Sequence, residues 1–258
     1  MEPILSTGAP VPSLPLALDH LVVAATTLDE GEAWLRRRLG APLAPGGSHP
    51  GYGTHNRLLR LGSAHYLELI APDPAQAGAD RKRPHPTLFG LDQPAMAQAL
   101  AGGPRLAHLV FRVLEPGSLA AVVPRLRYDP GPIVRMTRGD LAWDITVPPD
   151  GQLAGYGLLP TLIDWGEAPH PCTRLPESGV TLESVRIQGP DLVVAAFPPV
   201  PALASGAARA GAEAAGTDDD HARITLAAAP TAEISAGFRV GERRIIIQSA
   251  LSIRELAR

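Results

Sequence analysis

Leu18-Asp19-His20-Leu21-Val22-Val23 and Leu106-Ala107-His108-Leu109-Val110-Phe111 are two apolar runs that carry a histidine at the same place. The alternation in each marks a strand, and the recurrence marks a duplicated unit. Two equivalent strands, each bearing one imidazole, predict a shared centre toward which both rings point.

The echo continues outward from the histidines. After His20, Leu28 to Leu39 reads as a helix, with Thr27 as N-cap, Glu30 three residues on and Gly40 as the stop. Extended segments follow at Arg57 to Leu61 and His65 to Ala71, divided by a turn at Gly62-Ser63. After His108, Gly117 to Leu126 has helical spacing at Leu119, Val122, Val123 and Leu126. Strands are then expected at Pro132 to Met136, Leu141 to Val147 and Leu158 to Asp164. Both halves read βαβββ. The expected organisation is an N-terminal extension (1–15), a first module (16–92), a second module (93–172) and a C-terminal partial module (173–258).

The last strand of each unit is where a second inward polar group is expected. Tyr66-Leu67-Glu68-Leu69-Ile70 sets Glu68 in an apolar strand, which is costly unless the carboxylate is paired, exposed or metal-bound. Aligning the Leu-Ile pairs puts Thr161, of Leu159-Pro160-Thr161-Leu162-Ile163-Asp164, in the place of Glu68. The two histidine-to-polar spacings differ only by a loop-sized insertion. Three of the four repeat positions, His20, Glu68 and His108, are therefore able to ligate a metal.

Four blocks carry a family resemblance: Leu18 to Val23, His49-Pro50-Gly51-Tyr52-Gly53-Thr54-His55-Asn56, Tyr66 to Asp73, and Leu159 to Gly166 with His170-Pro171. Through them the chain resembles the vicinal oxygen chelate superfamily and, within it, the glyoxalase-like domain proteins, over residues 16 to about 172. The resemblance implies an α+β fold of tandem βαβββ modules whose curved mixed sheet surrounds a pocket. It also implies a divalent metal bound from the first and last strands of each module, at His20, Glu68 and His108. Thr161 departs from that pattern, so a complete four-ligand, glyoxalase I type site is not implied.

Two imidazoles and one carboxylate leave open coordination positions, and such sets suit iron, manganese, zinc or nickel. A metal holding two adjacent oxygens supports isomerase, lyase or dioxygenase chemistry on a small oxygen-rich substrate. Each also needs an acid or base in hydrogen-bond reach, for which His49, His55 and Asp164 are the candidates. The alternative is a metal-free binding or sequestering protein of the bleomycin-resistance type, with Trp143 and Trp165 as pocket walls. A regulatory or structural dimer with a vestigial pocket is a third reading.

The stretch His49 to Asn56, with Gly46-Gly47 before it, reads as a loop that bends close to a ligand and presents His49, His55 or Asn56, or as a plain glycine-rich connection. Asp164 ends an apolar strand. Arg60 and Arg112 lie in strands, and either one facing inward would pair with an anionic substrate.

A chain of 258 residues is long enough for an ample core. The net charge of −3 and the lack of a basic patch interleaved with aromatics argue against nucleic acid. No apolar run reaches the roughly 20 residues of a membrane span. Met1 to Pro15 lacks the basic and apolar regions of a signal peptide. The single cysteine, Cys172, allows no internal disulfide, and a cytoplasmic location is the default expectation. Beyond it, Val180 to Ile187, Arg223 to Ala228 and Arg243 to Ser249 are strand candidates. Between them lie an alanine-rich helix candidate, Ala202 to Ala215, and an acidic turn, Asp218-Asp219-Asp220. This part is expected to pack on the two-module body, extending a sheet or forming a homodimer contact.

Overall fold

A computed structural model describes residues 13–76, 83–201, 203 and 222–251. Residues 1–12, most of the Ala202 to Ala215 helix candidate and the three aspartates lie outside the described residues. The first unit comprises β1 (Leu16–Ala24), α1 (Leu28–Leu39), β2 (Ala44–His49), β3 (Thr54–Leu61) and β4 (His65–Pro72). After a 3-10 turn at Leu88–Gly90 and α2 (Pro94–Leu100), the second comprises β5 (Arg105–Val113), α3 (Leu119–Val122), β6 (Ile133–Arg138), β7 (Leu141–Thr146) and β8 (Thr161–Asp164). The fold is α+β, with tandem βαβββ modules.

The eight strands form one sheet in the order β2-β3-β4-β1-β5-β8-β7-β6. Each module closes by pairing its first strand with its last in parallel, β1 with β4 and β5 with β8. The antiparallel pair β1·β5 joins the modules at the centre. The sheet curves until its two ends approach, and Arg138 of β6 reaches Asn56 of β3 across the seam.

Helix α1 keeps the expected limits: Thr27 accepts from the Glu30 N–H, and Gly40 takes a left-handed conformation with φ 71°. Helix α3 is far shorter than the sequence pattern suggests. It has four residues, because Pro124 has no N–H for the next helical bond and the chain tightens into a 3-10 turn at Val123–Arg125. Strand β8 likewise starts only after Pro160, at Thr161. The stretch from His49 to Asn56 is half strand and half turn: β2 ends at His49, β3 begins at Thr54, and the residues between them turn.

The sheet separates two cores. Leu18, Leu21, Val23, Leu67, Leu69, Leu109 and Phe111 face outward, and they share one apolar cluster with Leu35 and Leu39 of α1. Val22, Ile70, Val110 and Ile163 line the concave side, which the linker plugs with Leu88, Phe89 and Leu91.

The C-terminal part repeats the element string, as β9 (Val180–Gly189), α4 (Asp191–Ala196), β10 (Arg223–Ala228), β11 (Ala232–Val240) and β12 (Arg243–Leu251). Its strands form a separate sheet in the order β10-β9-β11-β12. Here the first strand pairs in parallel with the second rather than with the last, so this sheet does not extend the first. Val180, Leu182, Val185 and Phe238 join the outward core instead.

Candidate functional site

Strands β1 and β5 carry the same irregularity at the same place. Their register skips Asp19, between Leu18 and His20, and skips Ala107, between Leu106 and His108. A bulge of this kind re-aims a side chain. Here it keeps Leu18 and Leu21 on the outward face and turns His20 inward, and it does the same for Leu106, Leu109 and His108. The bulge also frees the Asp19 side chain from strict alternation, and its Oδ1 lies 2.6 Å from His20 Nδ1.

Asp19 is fully buried and well partnered. Its Oδ2 accepts from Trp165 Nε1 at 3.0 Å and from His170 Nε2 at 3.0 Å, with Arg112 Nη1 at 3.8 Å. His170 Nδ1 accepts from the Cys172 N–H, so the proton on that ring belongs on Nε2, toward Asp19. Burial opposes the Asp19 charge, but hydrogen bonds from His170 and His20 outweigh it and hold the carboxyl well below the usual range.

The other ring nitrogen of His20 faces Glu68, with Nε2 3.3 Å from Oε2. The ring also stacks on Tyr66, centroids 4.4 Å apart. Burial disfavours the imidazolium, yet the two carboxylates on either side raise His20 to about pKa 9. For Glu68 too, burial works against the charge, and the bond and charge of His20 outweigh it, so its pKa falls. At neutral pH the pair is a carboxylate beside an imidazolium.

Glu68 is oriented by a second chain of contacts. Asn56 Oδ1 accepts from the Gly47 N–H at 2.8 Å and from Arg138 Nη1 at 3.3 Å, which commits its amide nitrogen to Glu68 Oε1 at 2.6 Å. The Gly46-Gly47 bulge in β2 makes room for this: a Cβ on Gly46 would sit 2.0 Å from Asn56 Oδ1. Asn56 Nδ2 also approaches His49 Nε2 at 3.3 Å, and His49 Nδ1 meets Thr54 Oγ1 at 2.9 Å. Burial lowers the His49 pKa and keeps that ring neutral.

These groups line a cavity of about 40 Å³ that includes His20, His49, Asn56, Glu68, Arg138, Trp143 and Trp165. The structure thus brings together six residues singled out from the sequence: His20, Glu68, His49, Asn56, Trp143 and Trp165. It sets others apart. His55 alternates with Asn56 to the opposite face and lies 3.9 Å from Asp73. Asp164 accepts from the Gly117 and Gly166 N–H groups, each at 2.8 Å, and so fixes two turns. Arg112 donates to the Leu18 and Ala64 carbonyls beside Asp19 and does not reach the cavity.

His108 sits on the concave face but is turned away from Glu68. Its Nδ1 is 2.8 Å from the Gly157 carbonyl, which only accepts, so that nitrogen holds the proton. Nε2 then accepts from the Thr161 N–H at 3.2 Å and faces Thr161 Oγ1 at 3.0 Å. Burial is the main reason its pKa falls, to about 4. The lone pair a metal would need is occupied, because Thr161 offers donors where the first module offers a carboxylate. The implied set of His20, Glu68 and His108 does not fit a metal in this arrangement. Among the described residues no group of three or more His, Cys, Asp or Glu side chains is placed to hold one.

Beyond Phe89 lies a larger cavity of about 530 Å³, lined by Met96, Ala107, Leu153 and Tyr156 among others, with no charged side chain. Phe89 and Tyr156, with φ of 55° and 60°, are the two non-glycine residues in left-handed conformation among the described residues, and both face it.

Residues 18–197 match the family model of the glyoxalase-like domain. The chain belongs to the glyoxalase-like domain family. That family falls within the vicinal oxygen chelate superfamily, as the paired modules do. Among solved structures, a hypothetical protein from Staphylococcus aureus is 17% identical, covering 67% of this chain and 69% of its own, with a TM-score of 0.45. Methylmalonyl-CoA epimerase from Mycobacterium tuberculosis is 22% identical, covering 62% and 93%, with a TM-score of 0.37. A hypothetical protein from Bacillus halodurans is 16% identical, covering 60% and 97%, also with a TM-score of 0.37. No curated protein sequence matches the chain. No helix among the described residues is long and apolar enough to cross a membrane.

The sequence missed Asp19, Tyr66, His170 and Arg138. Tyr66 and His170 stand in blocks that carry the resemblance but drew no role, Asp19 showed as the carboxylate adjoining His20 that Ala107 lacks beside His108, and Arg138 left no signal.

Proposed function

We propose that this glyoxalase-like protein is an enzyme that moves a proton on a small oxygen-rich substrate, with Glu68 as base and His20 as acid. The observation that carries this reading is the geometry of two buried groups, the Glu68 carboxyl and the His20 imidazole, 3.3 Å apart and facing one cavity. Glu68 takes a proton from carbon beside a carbonyl, and the C–H electron pair moves into the C–C bond while the carbonyl oxygen becomes an enolate. The imidazolium of His20 stabilises that oxygen by donating from Nε2. Return of the proton to the other face of the same carbon completes an epimerisation with no further reactant. Asp19, Trp165 and His170 hold His20 in place, and Asn56 holds Glu68.

The test is exchange of solvent deuterium into small 2-oxo acids and 2-hydroxy carbonyl compounds, followed by proton NMR. Glu68→Gln should slow exchange by roughly 100- to 10,000-fold. Exchange unaffected by this variant would overturn the reading.

A metal-dependent reading is supported by the His20 Nε2 atom, which is buried and, although 3.3 Å from Glu68 Oε2, makes no well-aligned hydrogen bond. It requires His108 to leave Thr161 and rotate toward Glu68. Elemental analysis after incubation with iron, manganese, zinc and nickel separates the two readings: stoichiometric metal that disappears in Glu68→Ala would replace the metal-free one. A binding protein of the bleomycin-resistance type is supported by the uncharged cavity of about 530 Å³, within the usual range of roughly 300–1,000 Å³ for ligand pockets. Ligand-induced thermal stabilisation without metal or turnover would favour it.

A further inference from the structure

Arg138 is the one arginine lining the cavity of His20 and Glu68. It ends β6, an outer strand of the second module, and its side chain crosses the seam to the first. The backbone of β2 accommodates it: a Cβ on Gly47 would lie 2.7 Å from Arg138 Cδ and 3.2 Å from Nη1. Gly46 and Gly47 thus form a notch with two occupants, the Asn56 carboxamide and the Arg138 side chain.

The partners of Arg138 are neutral. Asn56 Oδ1 accepts from Nη1 at 3.3 Å, a long bond, and the Trp143 ring lies 5.9 Å from the guanidinium carbon. Other strand arginines are committed: Arg112 to two carbonyls, and Arg57, on the outward face, to Asp29 and Glu32 of α1. Among the described residues no carboxylate pairs with Arg138. A half-buried guanidinium without a counter-ion, beside a reacting pair, is suited to receive two oxygens of a planar anion.

We propose that Arg138 binds the carboxylate of the substrate, so that the substrate class is a small oxo acid held between the two modules. This rests on the reading of Glu68 and His20 as proton-transfer groups and narrows it. Arg138 fixes the acid end, which leaves the adjoining carbonyl to His20 and the carbon beyond to Glu68.

The experiment titrates pyruvate, 2-oxobutyrate and phenylpyruvate, each against its neutral methyl ester, into the full chain, with binding followed by ligand-detected NMR. Wild type should bind at least one acid tenfold or more tightly than its ester. Arg138→Gln should lose that preference while still binding the ester as before, and Arg138→Lys should restore part of it. Gly47→Ala, which retains the arginine but fills its notch, should also lose the preference. Circular dichroism and melting confirm that each variant is folded. No acid preference in wild type, or a preference unchanged in Arg138→Gln, overturns the proposal. Arg138-dependent binding without deuterium exchange would sink the proton-transfer reading and leave the anion site standing. Exchange with unchanged KM in Arg138→Gln would do the reverse.

Discussion

His20 and His108 occupy equivalent places on strands with the same bulge, yet one favours the charged ring and the other the neutral one. In the first module the residue before the histidine is Asp19 and the residue its Nε2 faces is Glu68; in the second these are Ala107 and Thr161. Glu68 pairs with Val22, two past His20, and Thr161 pairs with Val110, two past His108, so the backbone register is the same. Two side-chain identities therefore decide whether the buried ring is an imidazolium or a neutral, doubly bonded strut. In the proposed function, one copy of the duplicated frame serves chemistry and the other architecture.

The comparison breaks most directly at Asp19. Asp19→Ala leaves His20, His170 and the Trp165 N–H without their common partner, and removal of one member of a buried charge network costs about 3–5 kcal/mol. Urea unfolding measures this, and a loss below about 1 kcal/mol would mean that both modules hold their histidines alike.

The next effect is on pH. His20 has its pKa raised from 6.5 to about 9, so its contribution to stability is full below pH 6.5 and is lost as pH rises toward 9. His108 has its pKa lowered to about 4, so its contribution is full above pH 6.5 and is lost as pH falls toward 4. Imidazole NMR titration should resolve the two rings at these ends, and urea midpoints should fall on both sides of pH 6.5. A flat profile on the alkaline side would remove the contrast.

Thr161→Glu sharpens the comparison by giving the second module the carboxylate of the first. An opposite charge at this distance raises a pKa by about 1–3 units, so His108 should titrate well above 4. The same titration checks it, and an unmoved His108 would show that Asp19, rather than Glu68, makes the difference in module one.

The smallest effect concerns the helices. Thr27→Ala removes the cap of the 12-residue α1 and should cost about 1 kcal/mol. Ser118→Ala, before the four-residue α3 where the serine makes no cap bond, should stay within about 0.5 kcal/mol. Thermal melting of both variants tests this difference.

Much of this frame was legible in the residues themselves. The histidine echo located β1 and β5, the Thr27 and Gly40 caps bounded α1, and the Leu-Ile alignment put Thr161 opposite Glu68 in the correct register. The bulges were not legible, because strict alternation sends Asp19 to the outer face and only the strand pairing shows the skipped residue. His55 and Asn56 looked equivalent until β3 assigned them to opposite faces. Gly46-Gly47 read as loop because glycine lacks a strand signal, whereas their use depends on Asn56 and on an arginine many residues later. Closure of the curved sheet is what brings Arg138 to the site, and no local pattern encodes it.

The seam of that sheet is held by side chains. Strands β2 and β6 stand at opposite ends of the strand order, and the seam is crossed by the Arg138 side chain, which reaches Asn56 of β3 and lies over Gly47 of β2, rather than by a main-chain ladder. The ring is therefore a clasp and not a hoop. Edge amides on both strands should exchange with deuterated solvent well before those of β1 and β5. Any ligand that grips Arg138 and Glu68 together would latch the clasp, and slowed exchange along both edges would report its arrival from outside the cavity.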